Sequence, residues 1–442
     1  MIDHEDLARL TAGSRRIQGW IRAQTFSPEA EKTLRRFSSW EVAELILKIN
    51  PSTFRNRLAE NPALPQGVTE PDGRQRWFSL DEINALRARL KPGRGRAGLM
   101  PARTGGRAVR AAIANFKGGA GKSTVALHFA HAAALEGWRV LAVDFDPQAT
   151  LSHAMGAVDV AEEDTVWGVM ARDLIRETEA MNAGPVGAES GARTERRALP
   201  ASVTGLGLEA RAPASFIRAT AWPTVDLVAS CANAAFVEFA SAQYRHLNPD
   251  WTFFAAVSRW LDALPPDAYD LIIFDCPPAI GYQSMNAVFA ADLLWIPSGP
   301  GYWEYDSTTS FLGQLSDALA DLEHGFGGHF PAGKRFCDLR FLLTRYEPGN
   351  PLHQAMDGAF RKAFGERVAQ RQIEMTRAVE QSGRFLCSVY EIDYRDMTRE
   401  TWRRARESFD AAYGEFAEAV AAARTEIAAE NGDRAAGGEA AA

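Results

Sequence analysis

Cysteine is scarce in this 442-residue chain, and the four that occur, Cys231, Cys276, Cys337 and Cys387, are far apart. No CxxC pair or nearby histidine at ligand spacing accompanies them, which argues against a zinc site or a disulfide framework and predicts a cytoplasmic location. No apolar run approaches the ~20 residues of a membrane span, so we expect no membrane insertion. The acidic start lacks the apolar segment of a secretory signal.

Net positive charge is also lacking, since 49 Lys and Arg oppose 56 Asp and Glu, for a formal charge of −7. The sum hides a division along the chain. Residues 1–110 carry 20 basic and 12 acidic side chains, which leaves 29 basic and 44 acidic for the rest. A basic first quarter joined to an acidic remainder indicates that one part of the chain faces a polyanion.

The first 90 residues are rich in helix-start signals. Residues 1–36 have loose helical periodicity and are interpreted as N-terminal helices with a role in dimerisation. Capping boxes begin at Ser38 and Ser79, and Asn50 supplies an N-cap before a proline. An aromatic strand around Trp77 precedes the last start. Helix, turn, helix, hairpin and helix over residues 37–90 outline a small winged helix-turn-helix domain.

Residues 91–107 combine five basic side chains with five glycines and two prolines and contain no acid, which predicts a flexible basic linker. From residue 108 to 427, short apolar β runs alternate with helical stretches, and a mostly parallel, doubly wound α/β sheet is the natural solution. The predicted strands span 109–115, 139–145, 225–230, 271–274, 293–297, 339–344 and 385–390. Two segments do not fit: 178–215 is predicted to be a flexible, largely disordered insertion, and 428–442 a disordered tail.

The strongest motif is NFKGGAGKST at residues 115–124, which follows an apolar strand and opens a helix. Glycines allow backbone N–H groups to wrap phosphate oxygens, and the helix N-terminus adds its positive end. Lys122 is placed to reach the β- and γ-phosphates of a nucleotide, and the Ser123 hydroxyl to complete a Mg²⁺ shell. The predicted phosphate-binding residues are Gly118, Gly119, Ala120, Gly121, Lys122, Ser123 and Thr124.

The form KGGxGK[ST], with Lys117 opening the loop, resembles the deviant Walker A motif of the ParA/MinD family of P-loop ATPases. The segment DFDPQ at 144–148 resembles the DxDPQ box of that family, and DCPP at 275–278 its Walker B strand end. Helix-turn-helix plus this motif is the arrangement of large ParA proteins, including the RepA type, which LLTRYEP at 342–348 also resembles. The resemblance covers most of residues 37–425.

The resemblance implies roles for particular residues. Lys117 corresponds to the signature lysine that reaches the partner's phosphates in a nucleotide-sandwich dimer. Asp144 and Asp275 correspond to outer-shell Mg²⁺ carboxylates, and Asp146 to the residue that orients the hydrolytic water. The implied cofactors are ATP and Mg²⁺, and the implied enzyme is a Mg²⁺-dependent ATPase with a weak intrinsic rate.

Residues 37–58 resemble a MerR-like helix-turn-helix, although the turn at 47–49 lacks the usual glycine, so a left-handed residue there would be strained. In this interpretation, the side chains that contact DNA are Ser52, Thr53, Arg55, Asn56 and Arg57 of the second helix and Arg74 and Arg76 of the wing. Further DNA-contact candidates near the C-terminus are Arg371, Arg377, Arg384 and Arg395. The alternative is a helical dimerisation domain with a solvated basic face.

The resemblance implies a DNA partition ATPase whose ATP-bound homodimer holds DNA non-specifically and is released when a ParB-type partner stimulates hydrolysis. The N-terminal domain would also bind an operator and repress its own operon, and the protein would associate with the nucleoid. The isolated cysteines disfavour the iron–sulfur reductases of the family, and the acidic C-terminus disfavours its membrane-bound regulators. A nucleotide-gated repressor without transport and a metabolic ATPase without DNA remain alternatives.

Overall fold

The computed structural model describes residues 32–70, 75–90, 106–183, 198–326 and 334–439, with five separate positions between Asp6 and Ile17. The predicted helices of residues 1–36 lie mostly outside this part, as do wing residue Arg74, linker residues 91–105 and insertion residues 184–197. Predictions for those segments stay predictions.

Among the described residues, the N-terminal unit (residues 37–89) is a small antiparallel sheet with three helices. Its strands, in the order β1-β3-β2, are β1 (Phe37–Ser38), β2 (Val68–Thr69) and β3 (Arg76–Phe78). Its helices are α1 (Glu41–Ile46), wound as a π-helix, α2 (Pro51–Glu60) and α3 (Leu80–Arg89).

All three predicted helix starts of this unit are confirmed. Ser38 donates from its N–H and its hydroxyl to the Glu41 carboxylate at 2.9 and 3.0 Å. The Asn50 side chain accepts from the backbone N–H of Ser52, and Ser79 forms a reciprocal capping box with Glu82. These side chains satisfy N–H groups that a helix start leaves without a partner.

The turn between α1 and α2 contains the strained position that the missing glycine predicts. Lys48 has a φ of 53°, in the left-handed region that a residue with a Cβ rarely adopts. Its ammonium lies 3.5 Å from the Glu136 carboxylate, in the body of the molecule. The connection between α1 and α2 is therefore a tight turn although it lacks the glycine that such a turn usually has.

In the part of the chain that the structure describes, the body is built on a seven-stranded sheet in the order β10-β9-β4-β8-β5-β7-β6, parallel except for the β6–β7 pair. This confirms the mostly parallel sheet predicted from the alternation of strands and helices. The strands are β4 (Val109–Ile113), β5 (Val140–Asp144), β6 (Arg218–Ala219), β7 (Val225–Val228), β8 (Leu271–Asp275), β9 (Leu293–Ser298) and β10 (Asp338–Leu343).

Helices cover both faces of the sheet. Along β4, Val109, Ala111 and Ile113 join one apolar core, while Ala112 joins the core on the other face, as the two-residue repeat of a strand requires. The helices are α4 (Lys122–Glu136), α5 (Thr150–Ala154), α6 (Val166–Ala183), α7 (Ala201–Thr204), α8 (Phe236–Leu247), α9 (Ala256–Asp262), α10 (Tyr282–Ala290), α11 (Tyr302–Phe326), α12 (Pro351–Phe364), α13 (Arg377–Arg384) and α14 (Arg399–Glu439).

The N-terminal unit packs on the body at the C-terminal end of α4, the helix that follows the glycine-rich loop. Phe37 makes an edge contact with Trp222, with ring centroids 6.5 Å apart. The Arg87 guanidinium donates to the carbonyl of Leu135, in the last turn of α4, where a cation suits the negative helix end. The core on this face is shared, because Phe37, Phe54 and Phe78 join the same cluster as α4 residues.

The strand predicted at 385–390 is wrong. This segment follows α13 as a series of turns, although Val389 and Tyr390 are fully buried. The N–H of Val389 donates to a His128 side chain at 3.1 Å instead of to a neighbouring strand. Its apolar residues are buried by packing on α4 and α14, which a short apolar run cannot distinguish from burial in a sheet.

The disordered insertion predicted at 178–215 is also wrong for the residues that the structure describes. Helix α6 continues to Ala183, and residues 198–216 form short helical turns that bury Val203, Leu208 and Phe216. Arg211 donates to the Glu163 carbonyl at 2.9 Å and pairs with Asp164. Three well-placed apolar residues suffice for this packing, but the average composition of the segment obscures them.

The predicted tail differs as well, since α14 continues through Glu439. Ala423 and Ile427 are buried just before the predicted tail begins. Beyond them, alanine is the most frequent residue up to Glu439 and favours the helix that continues into residues we expected to be disordered, although three glycines also occur there.

Candidate functional site

The glycine-rich loop lies between the end of β4 and the start of α4, at the carboxyl edge of the sheet. Gly119 and Gly121 have φ values of 75° and 88°, in the left-handed region that these turns need. A Cβ on Gly118 or Gly119 would have no neighbour within 4 Å, so the space beside these two residues is open. Gly121 is the N-cap of α4 and brings no side chain to its N–H groups. The geometry is that of an anion cradle at a helix N-terminus.

Lys122 is the buried cation of this loop. Its side chain is 6% exposed, and its ammonium donates to the carbonyl of Lys117 at 3.2 Å across the loop. Burial lowers the pKa of Lys122, whereas the nearby carboxylates of Asp275 and Asp146 raise it by a smaller amount. An ammonium held between the loop backbone and two carboxylates lies where a nucleotide's terminal phosphates would be bound.

Asp144 and Asp275 end two neighbouring strands and are directly paired in the β5–β8 register. The Asp144 carboxylate is fully occupied: it accepts from the N–H of Asp146 at 3.0 Å and from the N–H and hydroxyl of Ser152 at 2.9 and 2.6 Å. Burial nevertheless raises the pKa of Asp144 to about 7, because these donors do not offset its removal from water.

The Asp275 carboxylate is different, because it is fully buried and neither oxygen has a hydrogen-bond partner of ordinary geometry among the described residues. Burial raises its pKa well above the usual 3.8, and the Asp144 charge adds to this effect. The Ser123 side chain and the Lys122 ammonium act in the opposite direction. An orphaned buried carboxylate beside a loop hydroxyl fits a Mg²⁺ ion with its water ligands.

Asp146 follows β5 at the same edge. Its side chain is 8% exposed and accepts from the N–H of Gln148 at 2.9 Å. It acts electrostatically on both Lys122 and Asp275, so all three lie in one charged cluster. The structure thus brings together the predicted site residues of the loop and of both carboxylate motifs.

Two residues that the sequence analysis did not assign complete the surroundings of the loop. Asn115 donates to the carbonyl of Pro297 at 2.8 Å and to the Thr308 hydroxyl at 3.0 Å, which ties the loop's first residue to β9 and α11. Ser152 binds the Asp144 carboxylate. Asn115 belongs to the quoted loop motif, but nothing in the sequence indicates either partner, since both are distant along the chain.

Helix α2 carries five of the residues predicted to contact DNA, and four of them lie on its exposed face. Phe54 and Leu58 point into the core, while the intervening side chains of Ser52, Thr53, Arg55 and Asn56 are exposed and that of Arg57 is half-buried. Ser52 uses its hydroxyl to donate to Asn50 at 2.6 Å. In the wing, the half-buried Arg76 donates to Gln66 at 3.3 Å.

The C-terminal candidates are dispersed. Arg371 and Arg377 are exposed, whereas the Arg395 guanidinium is paired with Asp393 at 2.8 Å and Glu70 at 3.3 Å and lies over the Trp77 ring. Arg384 ends α13, and its side chain is outside the described part. The two carboxylates neutralise Arg395, so its charge serves the contact between the body and strand β3.

Neither a cluster of metal-ligating side chains nor a membrane-spanning helix occurs among the described residues. Within the described ranges, no three His, Cys, Asp or Glu side chains are grouped so as to hold a metal ion, and the four cysteines are free thiols. No helix of the described chain is both long and apolar enough to cross a membrane.

A glycine-rich loop at the carboxyl edge of a parallel sheet, with a buried lysine and strand-end carboxylates, defines a P-loop nucleotide-binding protein. The family model described as AAA domain matches residues 109–322. Replication protein A of Sinorhizobium fredii is 32% identical over 407 residues, which cover 90% of this chain and 89% of that protein. The chain belongs to the ParA family of P-loop partition ATPases.

Two further similarities agree with this assignment. The chromosome-partitioning ATPase Soj of Thermus thermophilus is 27% identical over 259 residues, which cover 59% of this chain and 78% of that protein. A solved structure of a partition protein shares the fold with a TM-score of 0.59 at 16% identity, over 94% of this chain and 99% of that chain. The similarity therefore includes the N-terminal unit as well as the body.

Proposed function

We propose that this protein is a DNA partition ATPase whose ATP-bound homodimer binds DNA non-specifically. The observation that carries the proposal is the charged cluster at the loop, where Lys122, Asp146 and the orphaned Asp275 surround an open phosphate cradle. A site that only sensed nucleotide would not need a carboxylate placed to orient water. The DNA contact rests on the second helix of the N-terminal unit and on the basic excess of residues 1–110.

Each residue of the site has a part in this proposal. Gly118 to Thr124 bind the phosphates through backbone N–H groups, and Lys122 neutralises the charge that develops during transfer. Ser123 and Asp275 would hold Mg²⁺, with Asp144 behind Asp275, and the ion would neutralise phosphate charge when bound. Asp146 orients the attacking water, and a weak intrinsic rate is expected before a ParB-type partner completes the site.

Lys117 is proposed to contact the nucleotide of a second copy across the dimer interface. It opens the loop and is half-buried, at the edge where the cradle is accessible. With MgATP, the wild type should shift from its apo state to a dimer in light scattering, whereas Lys117→Ala should not. Lys362→Ala, an exposed lysine on α12, is the matched control and should dimerise as wild type does. ATP-dependent dimerisation of Lys117→Ala would contradict the assignment.

Non-specific DNA binding by that dimer would depend on phosphate contacts and therefore on salt. The N-terminal unit would bind an operator and repress the operon, with Arg55 and Asn56 on the exposed face of α2 reaching into a groove. The protein is proposed to associate with the nucleoid in the cytoplasm. DNA binding that is independent of both ATP and salt would contradict the non-specific mode.

The second candidate function is a nucleotide-gated transcriptional repressor without a transport role. It is favoured by one observation, the packing of the N-terminal unit on the distal end of the helix that begins at the phosphate loop. It predicts tight operator binding with little ATP turnover. The two candidates therefore differ in whether hydrolysis responds to DNA and to the ParB-type partner.

A further inference from the structure

The segment Leu342–Pro348, singled out in the sequence, has no role in the site described so far. Its strand β10 is the edge strand next to β9, and it ends at Leu343, so that Thr344 is the first residue past the sheet. Thr344 is 3% exposed, and its N–H donates to the Ser298 carbonyl at 2.9 Å. Its side chain is thus fixed beneath the phosphate loop by the end of the sheet.

Thr344 contacts the loop at its centre. The Thr344 hydroxyl donates to the carbonyl of Ala120 at 2.8 Å, across 224 positions of sequence. A Cβ placed on Gly121 would meet the Oγ1, Cβ and Cγ2 atoms of Thr344 at 3.5 to 3.6 Å, so the threonine also packs directly against that glycine. One side chain therefore supports two consecutive loop residues.

The Ala120 carbonyl needs such a donor for a geometric reason. A loop that turns its N–H groups inward to an anion turns carbonyl oxygens outward, into the protein. Ala120 is fully buried, so water does not reach its surroundings freely, and a buried carbonyl without a donor is unfavourable. If the hydroxyl were absent, the peptide could rotate to find another donor, and that rotation would take the following N–H away from the phosphate.

We propose that Thr344 is a positioning residue for nucleotide binding, whose hydroxyl holds the Ala120–Gly121 peptide with its N–H directed into the cradle. It does not touch the nucleotide and acts through the loop backbone. The inference rests on the proposed nucleotide binding at this loop and deepens it, because it explains what keeps the cradle formed before the ligand arrives. The ligand class is a nucleoside triphosphate held by its phosphate groups.

The test compares Thr344→Val, which keeps the shape and removes the donor, with Thr344→Ser, which keeps the donor. MgATP binding is measured by isothermal titration calorimetry, and steady-state hydrolysis gives KM and kcat. We expect Thr344→Val to weaken MgATP binding about tenfold, with KM raised to match and kcat within about twofold. Thr344→Ser should bind within about twofold of the wild type.

The matched control is Thr309→Val on α11, an exposed threonine whose hydroxyl donates to the Tyr305 carbonyl at 3.1 Å. It should leave MgATP binding unchanged. Equal weakening by Thr309→Val, unchanged affinity in Thr344→Val, or failure of serine to restore binding would each overturn the proposal. Failure of the wild type to bind MgATP would instead contradict the proposed function.

Thr344→Ala is the second variant, in case valine packs poorly against Gly121. Circular dichroism and thermal unfolding without nucleotide separate a local role from a global one. We expect at least one of the two variants to fold and to show the same loss of affinity. If both fail to fold while Thr344→Ser folds, the hydroxyl serves the stability of the whole domain and the proposal is wrong.

Discussion

The orphaned carboxylate of Asp275 predicts a conflict between stability and function. An unpartnered buried polar group costs about 1–3 kcal/mol, and a charged one costs more. Asparagine has nearly the same shape but no charge beside Asp144, so Asp275→Asn should stabilise the nucleotide-free protein by about 1–2 kcal/mol. For a chain of 442 residues, this corresponds to a rise in Tm of about 1–2 °C.

The effect has a defined pH dependence. The folded state raises the pKa of Asp275, so this group contributes stability below about pH 3.8 and loses that contribution as pH rises towards the folded pKa. The advantage of Asp275→Asn should therefore grow from pH 5 to pH 8. Differential scanning calorimetry across this range, without nucleotide, measures it.

Asp144→Asn is the matched control at the same sheet edge. Its carboxylate accepts three hydrogen bonds, which an asparagine can only partly accept, so this variant should lose about 1–3 kcal/mol. Asp275→Asn should also lose most of the Mg²⁺-specific increase in Tm that the wild type gains with MgATP over ATP in EDTA. A lower Tm of Asp275→Asn without nucleotide, or an intact Mg²⁺-specific increase, would contradict the role proposed for Asp275.

Three further predictions concern the N-terminal unit and its support. His128 is buried as the neutral imidazole, with its pKa lowered to about 3. Acidification from pH 7 to 5 should therefore reduce the free energy of unfolding by about 2 kcal/mol more in the wild type than in His128→Gln, which urea unfolding measures. Arg55→Ala should weaken binding to DNA from its own promoter about tenfold in gel shifts, whereas the carboxylate-paired Arg395→Ala should not; equal effects would contradict the α2 assignment. Glu41→Gln should cost about 3 kcal/mol, because the buried carboxylate pairs with Arg35 at 2.7 Å; an unchanged midpoint of urea unfolding would contradict this.

Local signals predicted the parts of the site that are contiguous in sequence. Short motifs, whose residues act within one turn of backbone, predicted the glycines of the loop, the position of Lys122 at the start of a helix, and the strand-end Asp144 and Asp275. The capping residues Asn50 and Ser79 were predictable for the same reason, since a cap and its N–H groups are at most three residues apart.

Long-range contacts could not be predicted in this way. Thr344 contacts Ala120 because β10 ends at the same edge of the sheet as the loop. Ser152 contacts Asp144 because the chain folds back after β5 and places α5 beside the end of that strand. The 385–390 segment shows the same limit, because apolar residues buried against helices have the sequence pattern of a strand. The net charge of −7 likewise averages a basic first part and an acidic remainder, and the division along the chain was more informative than the sum.

The partition proposal requires that nucleotide hydrolysis serve DNA movement. The most direct measurement is the rate of MgATP hydrolysis by the full chain alone, with DNA, and with DNA plus the ParB-type protein of its own operon. We expect a weak rate for the chain alone and a clear rise when DNA and partner are both present, and we expect Asp146→Ala to lose this rise. An unchanged rate under all conditions, with tight operator binding intact, would contradict it and favour the nucleotide-gated repressor.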